Sequence, residues 1–350
     1  MLRIAFVACN KNAARFREDP AFIFRCENLG LALKALGHSV WQGHLSRLPW
    51  LERWDIVVFH RPRAGWRLGM LQAWLHRRGT LTVADVDDLV FDPGLASFSP
   101  GVANERIGLA ATRRQFESHR QALAGFDCIT VSTDPLQKHA ERLFPGAQVL
   151  CLPNALHWSW LDKALPVSKG LPGKRIGYMP GTRSHDRDFA LVSGALTRLL
   201  SRHPDLSLYI TGPLEFSLNA RPGQVVHQPK LPFDRYHQAF EDLDINLAPL
   251  ESTPFTACKT AIKVMEAAWW NIPTVCSPLP DAQRYVGAGA LLAYDVTGFE
   301  TELERLVTDA HHYQTACQDL RARVLPLADI RTLATEWLAW CLDQPMKIAT

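Results

Sequence analysis

Short apolar runs recur along this chain, each followed by a polar loop and an amphipathic helical segment. This alternation, more than any composition figure, restricts the folds open to it. LRIAFVAC (2–9), DIVVFHRP (55–62), LTVADVDDLVF (81–91), DCITVST (127–133) and QVLCLPNALH (148–157) are such runs in the first half, with a shorter one near Ser39 to Gln42. RIGYM, LSLYITG, VVHQ, INLAPL, PTVCS and GALLAY follow in the second. Runs without polar alternation read as strands covered on both faces, which is the condition of a parallel sheet. The segments between them, such as FIFRCENLGLALKALG, 107–124, DFALVSGALTRLLSRHP and GFETELERLVTD, carry helical spacing. The clear composition shift is the Pro/Gly/Lys-rich KALPVSKGLPGKR. The expected fold class is therefore α/β, with two doubly wound Rossmann-like domains facing a central cleft. Residues 1–160 form the first domain, 161–175 a linker, 176–328 the second domain, and 329–350 a terminal helix.

Composition excludes several functions. With 350 residues, 47% of them hydrophobic, the chain can bury large cores without disulfides. Its eight cysteines are scattered, with no C-x-x-C pair and no zinc-like cluster, and read as reduced thiols of a cytoplasmic protein. A formal charge of +3 does not argue for nucleic acid. The first residues already read as a strand, so no signal peptide is expected, and no apolar run is long enough to span a bilayer. G-x-G-x-x-G, G-x-S-x-G, H-E-x-x-H and the P-loop pattern are absent, leaving hydrolase and NTPase readings without support. Tryptophans lie beside arginines in LSRLPWLERW (45–54) and GWRLGMLQAWLHRR (65–78). Such segments either pack on a sheet as amphipathic helices, which is favoured here, or rest on an anionic membrane surface.

The stretch PFTACKTAIKVMEAAWWNIPTVCSPLP (254–280) holds the densest candidate chemistry. A helix over Ala257–Trp270 would place Lys259, Lys263, Glu266 and Trp270 on one side, and Ala261, Val264, Met265 and Ala268 on the core side. Thr256 is a candidate N-cap. A helix start with two lysines suits an anion such as a diphosphate, and Glu266 two turns in can accept from sugar hydroxyls; the same pattern also describes a solvated helix face. The loop PGTRSHDRDF (180–189) follows a strand. Gly181 permits close backbone approach to a ligand, Arg183 and Arg187 suit a diphosphate, and Asp188 is a candidate helix cap. In the first half, Arg25 sits near a helix start, and His60, Arg61, Asp85, Asp87 and Asp88 lie at carboxyl strand ends, where open parallel sheets bind ligands. Three roles remain open for D-V-D-D (85–88): metal ligands, turn and cap carboxylates, or contacts to hydroxyls in the cleft.

K-x-x-x-K-x-x-E-A-A-x-x-x-I-P-T-V-x-S (259–277) resembles the C-terminal signature of GT-B glycosyltransferases, close to the retaining family-4 type. G-Y-x-x-G-T-x-S-H-D-x-D-F (177–189) resembles a motif of bacterial cell-surface glycosyltransferases. R-x-x-N-L-x-x-x-L-x-x-x-G-H-x-V (25–40) and L-P-N-A (152–155) resemble parts of GT-B N-terminal domains. The resemblance implies a metal-independent transferase, with no cofactor beyond its nucleoside-diphosphate-sugar donor, acting on a glycan or lipid-linked acceptor in the cytoplasm or at the inner membrane face. It assigns Arg183, Arg187, Lys259 and Lys263 to catalysis at the diphosphate. Gly181, Thr182, His185, Cys258 and Glu266 would contact the donor, with Glu266 on the ribose and the base near Leu231 and Pro232. Arg25, His60, Arg61, Asp85 and Asp87 would line the opposite wall, and the last helix would cross back to the first domain. Cys258 stands where the family commonly has a second glutamate touching the donor sugar. A nucleotide-sugar epimerase or hydrolase, or a non-catalytic nucleotide-sugar-binding scaffold, shares these expectations.

Overall fold

The computed structural model describes residues 1–9, 13–164, 174–182 and 185–344. Most of the expected linker, and Arg183 of the second-domain loop, lie outside the described residues.

Among the described residues, twelve strands form two six-stranded parallel sheets. The first half contributes β1 (Arg3–Ala8), β2 (Ser39–His44), β3 (Ile56–His60), β4 (Leu81–Val86), β5 (Cys128–Val131) and β6 (Gln148–Cys151), in the order β2-β1-β3-β4-β5-β6. The second contributes β7 (Arg175–Tyr178), β8 (Ser207–Thr211), β9 (Val225–Gln228), β10 (Ile245–Ala248), β11 (Thr274–Cys276) and β12 (Ala290–Leu292), in the order β12-β11-β10-β7-β8-β9. The unbroken apolar runs have their expected cause. On β1, Ala5 and Val7 join one core while Ile4, Phe6 and Ala8 join another on the opposite face, and all five are buried.

Strand order fixes where ligands can sit. The first sheet reverses direction between β1 and β3, and the second between β7 and β10. At such a switch point the crossover helices diverge to opposite faces and leave a crevice beyond the strands' carboxyl ends. Cys9, His60 and Arg61 stand at the first crevice; residues 179–182, His185 and residues 249–261 stand at the second. Gly212, just after β8, has φ +135°, and a Cβ there would meet the Pro180 carbonyl oxygen at 2.2 Å. Only glycine lets β8 end against the loop that follows β7.

The two halves touch across the cleft. Phe255 and Cys258, from the second half's sequence, are buried in the first half's core. Phe24, from the first half, packs edge-on to Phe233 at 5.5 Å. The last helix, Ile330–Leu342, buries Ile330, Ala334, Trp337 and Cys341 against the face of β1, with Trp337 5.9 Å from Phe6.

Candidate functional site

The expected helix over 257–270 is broken. A single 3-10 turn, Thr256–Cys258, is followed by extended Lys259, and the α-helix runs only over Ile262–Trp269. Thr256 is not its N-cap: its hydroxyl bonds back to the Glu251 carbonyl and the Thr253 residue. The carboxylate of Asp281 accepts instead from Ala261 N–H at 2.7 Å, ahead of the first helical turn. The break separates the two lysines. Trp270, expected on the polar side, is buried and stacks on Phe240 and His237.

Lys259 points across the cleft. Its Nζ donates to Asp88 at 2.7 Å and lies 5.3 Å from the centre of the Phe255 ring. Asp88, from the first half, therefore stands beside Lys259. Lys263 is different. It is half-buried, with Nζ 5.0 Å from the centre of the Tyr178 ring, and among the described residues no carboxylate lies within ion-pair distance. Burial pulls it down to about 8, with Asp188 and Glu266 opposing that shift and Lys259 adding to it. Glu266 is not on a solvated face: it is buried and accepts from the Tyr236 hydroxyl at 3.3 Å. Burial pushes its carboxyl up to about 8, against the Tyr236 hydrogen bond and the charge of Lys263.

The loop after β7 leads into the helix Asp186–Arg202, so Arg187 sits in a helical first turn. Its guanidinium holds Glu251 through three contacts of 2.8–3.1 Å and donates to the Ala103 carbonyl of the first half at 3.1 Å. Asp188 does not cap this helix: its oxygens accept from Glu251 N–H at 2.9 Å and meet His185 Nδ1 at 2.8 Å. Burial, with Lys263 close by, lowers the His185 pKa, and Asp188 opposes the shift. Gly181 and Thr182 are exposed, and Lys230 Nζ donates to the Gly181 carbonyl at 3.3 Å. Leu231 packs on the second half's core, and Pro232 precedes the 3-10 segment Phe233–Phe240. Cys258 turns into the first half's core with its thiol on the Pro254 carbonyl at 3.5 Å, and burial raises it to about 12.

Opposite these groups, the D-V-D-D carboxylates are neutralised by side chains of the protein itself. Asp85 is buried and takes Arg25 at 2.6 Å, His60 Nδ1 at 2.8 Å and the Thr130 hydroxyl at 2.7 Å. Burial alone would raise its pKa; the Arg25 charge and the His60 ring reverse this and hold it well below the usual carboxylate range. Arg25 is aimed inward from a wide π-type turn, Ile23–Glu27, and also meets Asn154 and the Leu152 carbonyl. Arg61, at φ +50°, forks between Asp87 at 2.6 Å and Asp88 at 2.7 Å. Cys26, His60 and Asp85 bring one potential metal-ligating atom each within 4.8 Å of one another. Both Asp85 oxygens are already taken in that group, and a guanidinium stands beside it, a poor setting for a cation.

A cavity of about 860 Å³ lies beside the Arg187–Glu251 pair and Lys259; Lys263, Glu266, Arg25, His60, Arg61, Asp85 and Asp87 are not among the residues that line it. Phe98, Pro100 and Ala103 of the first half face His185, Arg187, Glu251, Lys259 and Tyr294 of the second. Three groups that hold the site carried no usable sequence signal. Tyr236 in a 3-10 segment, Glu251 in a loop and Asp281 in a short helix lie far along the chain from the residues they hold, and only the fold joins them.

No protein-family model matches the chain, and no curated protein is similar to it in sequence. Solved structures share its fold. HepE from Anabaena in complex with UDP-glucose superposes with a TM-score of 0.62 at 10% identity, over 98% of this chain and 100% of that one. An E. coli trehalose-6-phosphate structure bound with UDP-2-fluoro glucose gives 0.61 at 12% identity, over 99% and 100%. S. aureus TarM, in a complex with fondaparinux, α-GlcNAc-glycerol and UDP, gives 0.60 at 9% identity over 83% of this chain. This chain spans only 55% of TarM's length. The fold is the GT-B arrangement of two Rossmann-like halves.

Proposed function

We propose that this protein transfers a sugar from a nucleoside-diphosphate donor to a glycan or lipid-linked acceptor, with retention at the anomeric carbon and without a metal or other cofactor. Lys263 carries the reading. It is a half-buried cation beside the first turn of a helix, at the switch point of the second sheet, with no carboxylate of the described residues to neutralise it. Such a place favours an anion from solution. The similar structures hold UDP or UDP-sugars, which agrees with a diphosphate as that anion.

In this reading the reaction is driven by charge. Negative charge grows on the departing diphosphate, and cations fixed before the reaction stabilise it. Lys263 is the first of these. Lys259 and Arg187 join by exchanging Asp88 and Glu251 for phosphate oxygens, and Arg183 belongs to the same loop motif. Glu266 accepts from ribose hydroxyls, Gly181, Thr182 and His185 approach the donor, and Leu231 and Pro232 flank the base. Arg25, His60, Arg61, Asp85 and Asp87 shape the acceptor wall. Each D-V-D-D carboxylate has a basic side chain of the protein as its partner, which supports a reaction without a divalent ion. The protein acts as a peripheral protein at the inner membrane face.

The test is turnover of a UDP-, GDP-, ADP-, dTDP- and CMP-sugar panel with glycan acceptors, in EDTA. Transfer of one sugar with retained configuration supports the reading. Donor isomerisation or hydrolysis without transfer points to an epimerase or hydrolase. Binding without turnover over many acceptors points to a scaffold.

A further inference from the structure

The helix Trp66–Arg77 has two apolar faces where one would suffice. Leu68 and Leu75 are buried against the first sheet. At i, i+4 and i+8 on the other side stand Trp66, Met70 and Trp74, which are 70%, 64% and 36% exposed. The loop after β2 extends this stripe. Trp50 and Leu51 are 51% and 66% exposed, and Trp50 meets Trp74 edge-on at 5.8 Å, with the Trp74 indole N–H donating to the Trp50 carbonyl. Packing on the sheet, the reading favoured from sequence, accounts for the leucines and leaves the tryptophans unexplained.

The charge around the stripe is mostly positive. From Arg61 to Ala84 the chain carries five arginines and no aspartate or glutamate. Arg67 lies over the Trp66 ring at 5.3 Å and Arg78 over Trp74 at 5.4 Å. Arg47, Arg53 and Arg77 are exposed beside them. The acidic residues of the adjoining loop are engaged elsewhere: Glu52 pairs with the Arg3 guanidinium and Asp55 accepts from the Arg3 N–H. Exposed tryptophans ringed by arginines match the boundary of an anionic bilayer, where indoles enter the headgroup layer and guanidinium groups meet lipid phosphates.

We propose that Trp50, Leu51, Trp66, Met70 and Trp74 form a docking face for an anionic lipid surface, which gives a place on the molecule to the peripheral association in the functional reading but does not require sugar transfer. Lipid-linked acceptors would then reach the cleft from the side on which this half rests.

The full chain is sedimented with phosphatidylcholine vesicles, and with vesicles in which roughly one third of the lipid is phosphatidylglycerol. The expected result is binding to the anionic vesicles at low salt, little to the neutral ones, and release in about 0.5 M salt. Trp66→Ala with Met70→Ser lowers the partition roughly tenfold or more, while donor binding is unchanged, since neither side chain is buried. Absence of binding at low salt, or equal partition of the variant, overturns the proposal. So does a lipid-free dimer that Trp66→Glu dissociates, which assigns the face to a second copy of the chain. Vesicle binding by a protein that binds no nucleotide sugar leaves this inference standing and removes the functional reading instead.

Discussion

Glu266→Gln separates the burial of this carboxyl from any role it has with a ligand. The folded protein holds Glu266 at about 8, against an ordinary value of 4.5. Between those values the folded state binds more protons than the unfolded one. Stability is then fully present below pH 4.5 and is lost as pH rises through 8, at up to about 1.4 kcal/mol per pH unit. Across the interval the loss is on the order of 3–5 kcal/mol. Glutamine has the shape of the protonated acid, can keep the Tyr236 contact, and does not ionise. Urea unfolding of both proteins is measured at about pH 5 and about pH 8.5. The two should match within about 1 kcal/mol at the lower pH, and the variant should be the more stable by several kcal/mol at the higher. A difference that does not change with pH refutes the reasoning, because it means that Glu266 is already ionised in the folded protein at neutral pH.

Other outcomes follow from the same geometry. Lys263 has a depressed folded value of about 8, and an anion favours its charged form; diphosphate affinity should fall as pH rises above about 8, by titration calorimetry, and lose this dependence in Lys263→Met. Asp85→Asn leaves Arg25 buried without its counter-charge and should cost roughly 3–5 kcal/mol in urea unfolding, whereas Asp87→Asn, part-exposed, should cost about 1 kcal/mol. EDTA should leave kcat within about twofold, since D-V-D-D is neutralised by protein cations; full loss restored by manganese or magnesium would make these carboxylates metal ligands.

Fold and site were legible to different depths. The strands announced themselves because burial on both faces leaves few polar residues, as in LRIAFVAC and INLAPL, and these runs pointed to two parallel sheets. Helix boundaries near the cleft were harder. Helical spacing runs unbroken from Ala257 to Trp270, yet the chain stops at Lys259 to send its ammonium across to Asp88 and restarts at Ile262 under the Asp281 carboxylate. Nothing in the spacing marks a partner 171 residues away. Glu266 shows the same limit. Its helical position suggested a polar face open to a ligand or to solvent, but that face is covered by the segment carrying Tyr236, so the carboxyl is buried and pushed up to about 8. The pairing of Arg25 and His60 on one aspartate was likewise invisible, although each had been placed at the cleft by its position at a strand or helix end.

The most direct test of the central claim is ligand-observed NMR with UDP-, GDP-, ADP-, dTDP- and CMP-sugars, on the wild type and on Lys263→Ala. The account predicts that at least one nucleoside-diphosphate sugar binds without added metal, and that its affinity falls about tenfold or more in the variant, the scale of one charge-assisted contact. Absence of binding to every donor, or equal binding by both proteins, would contradict it.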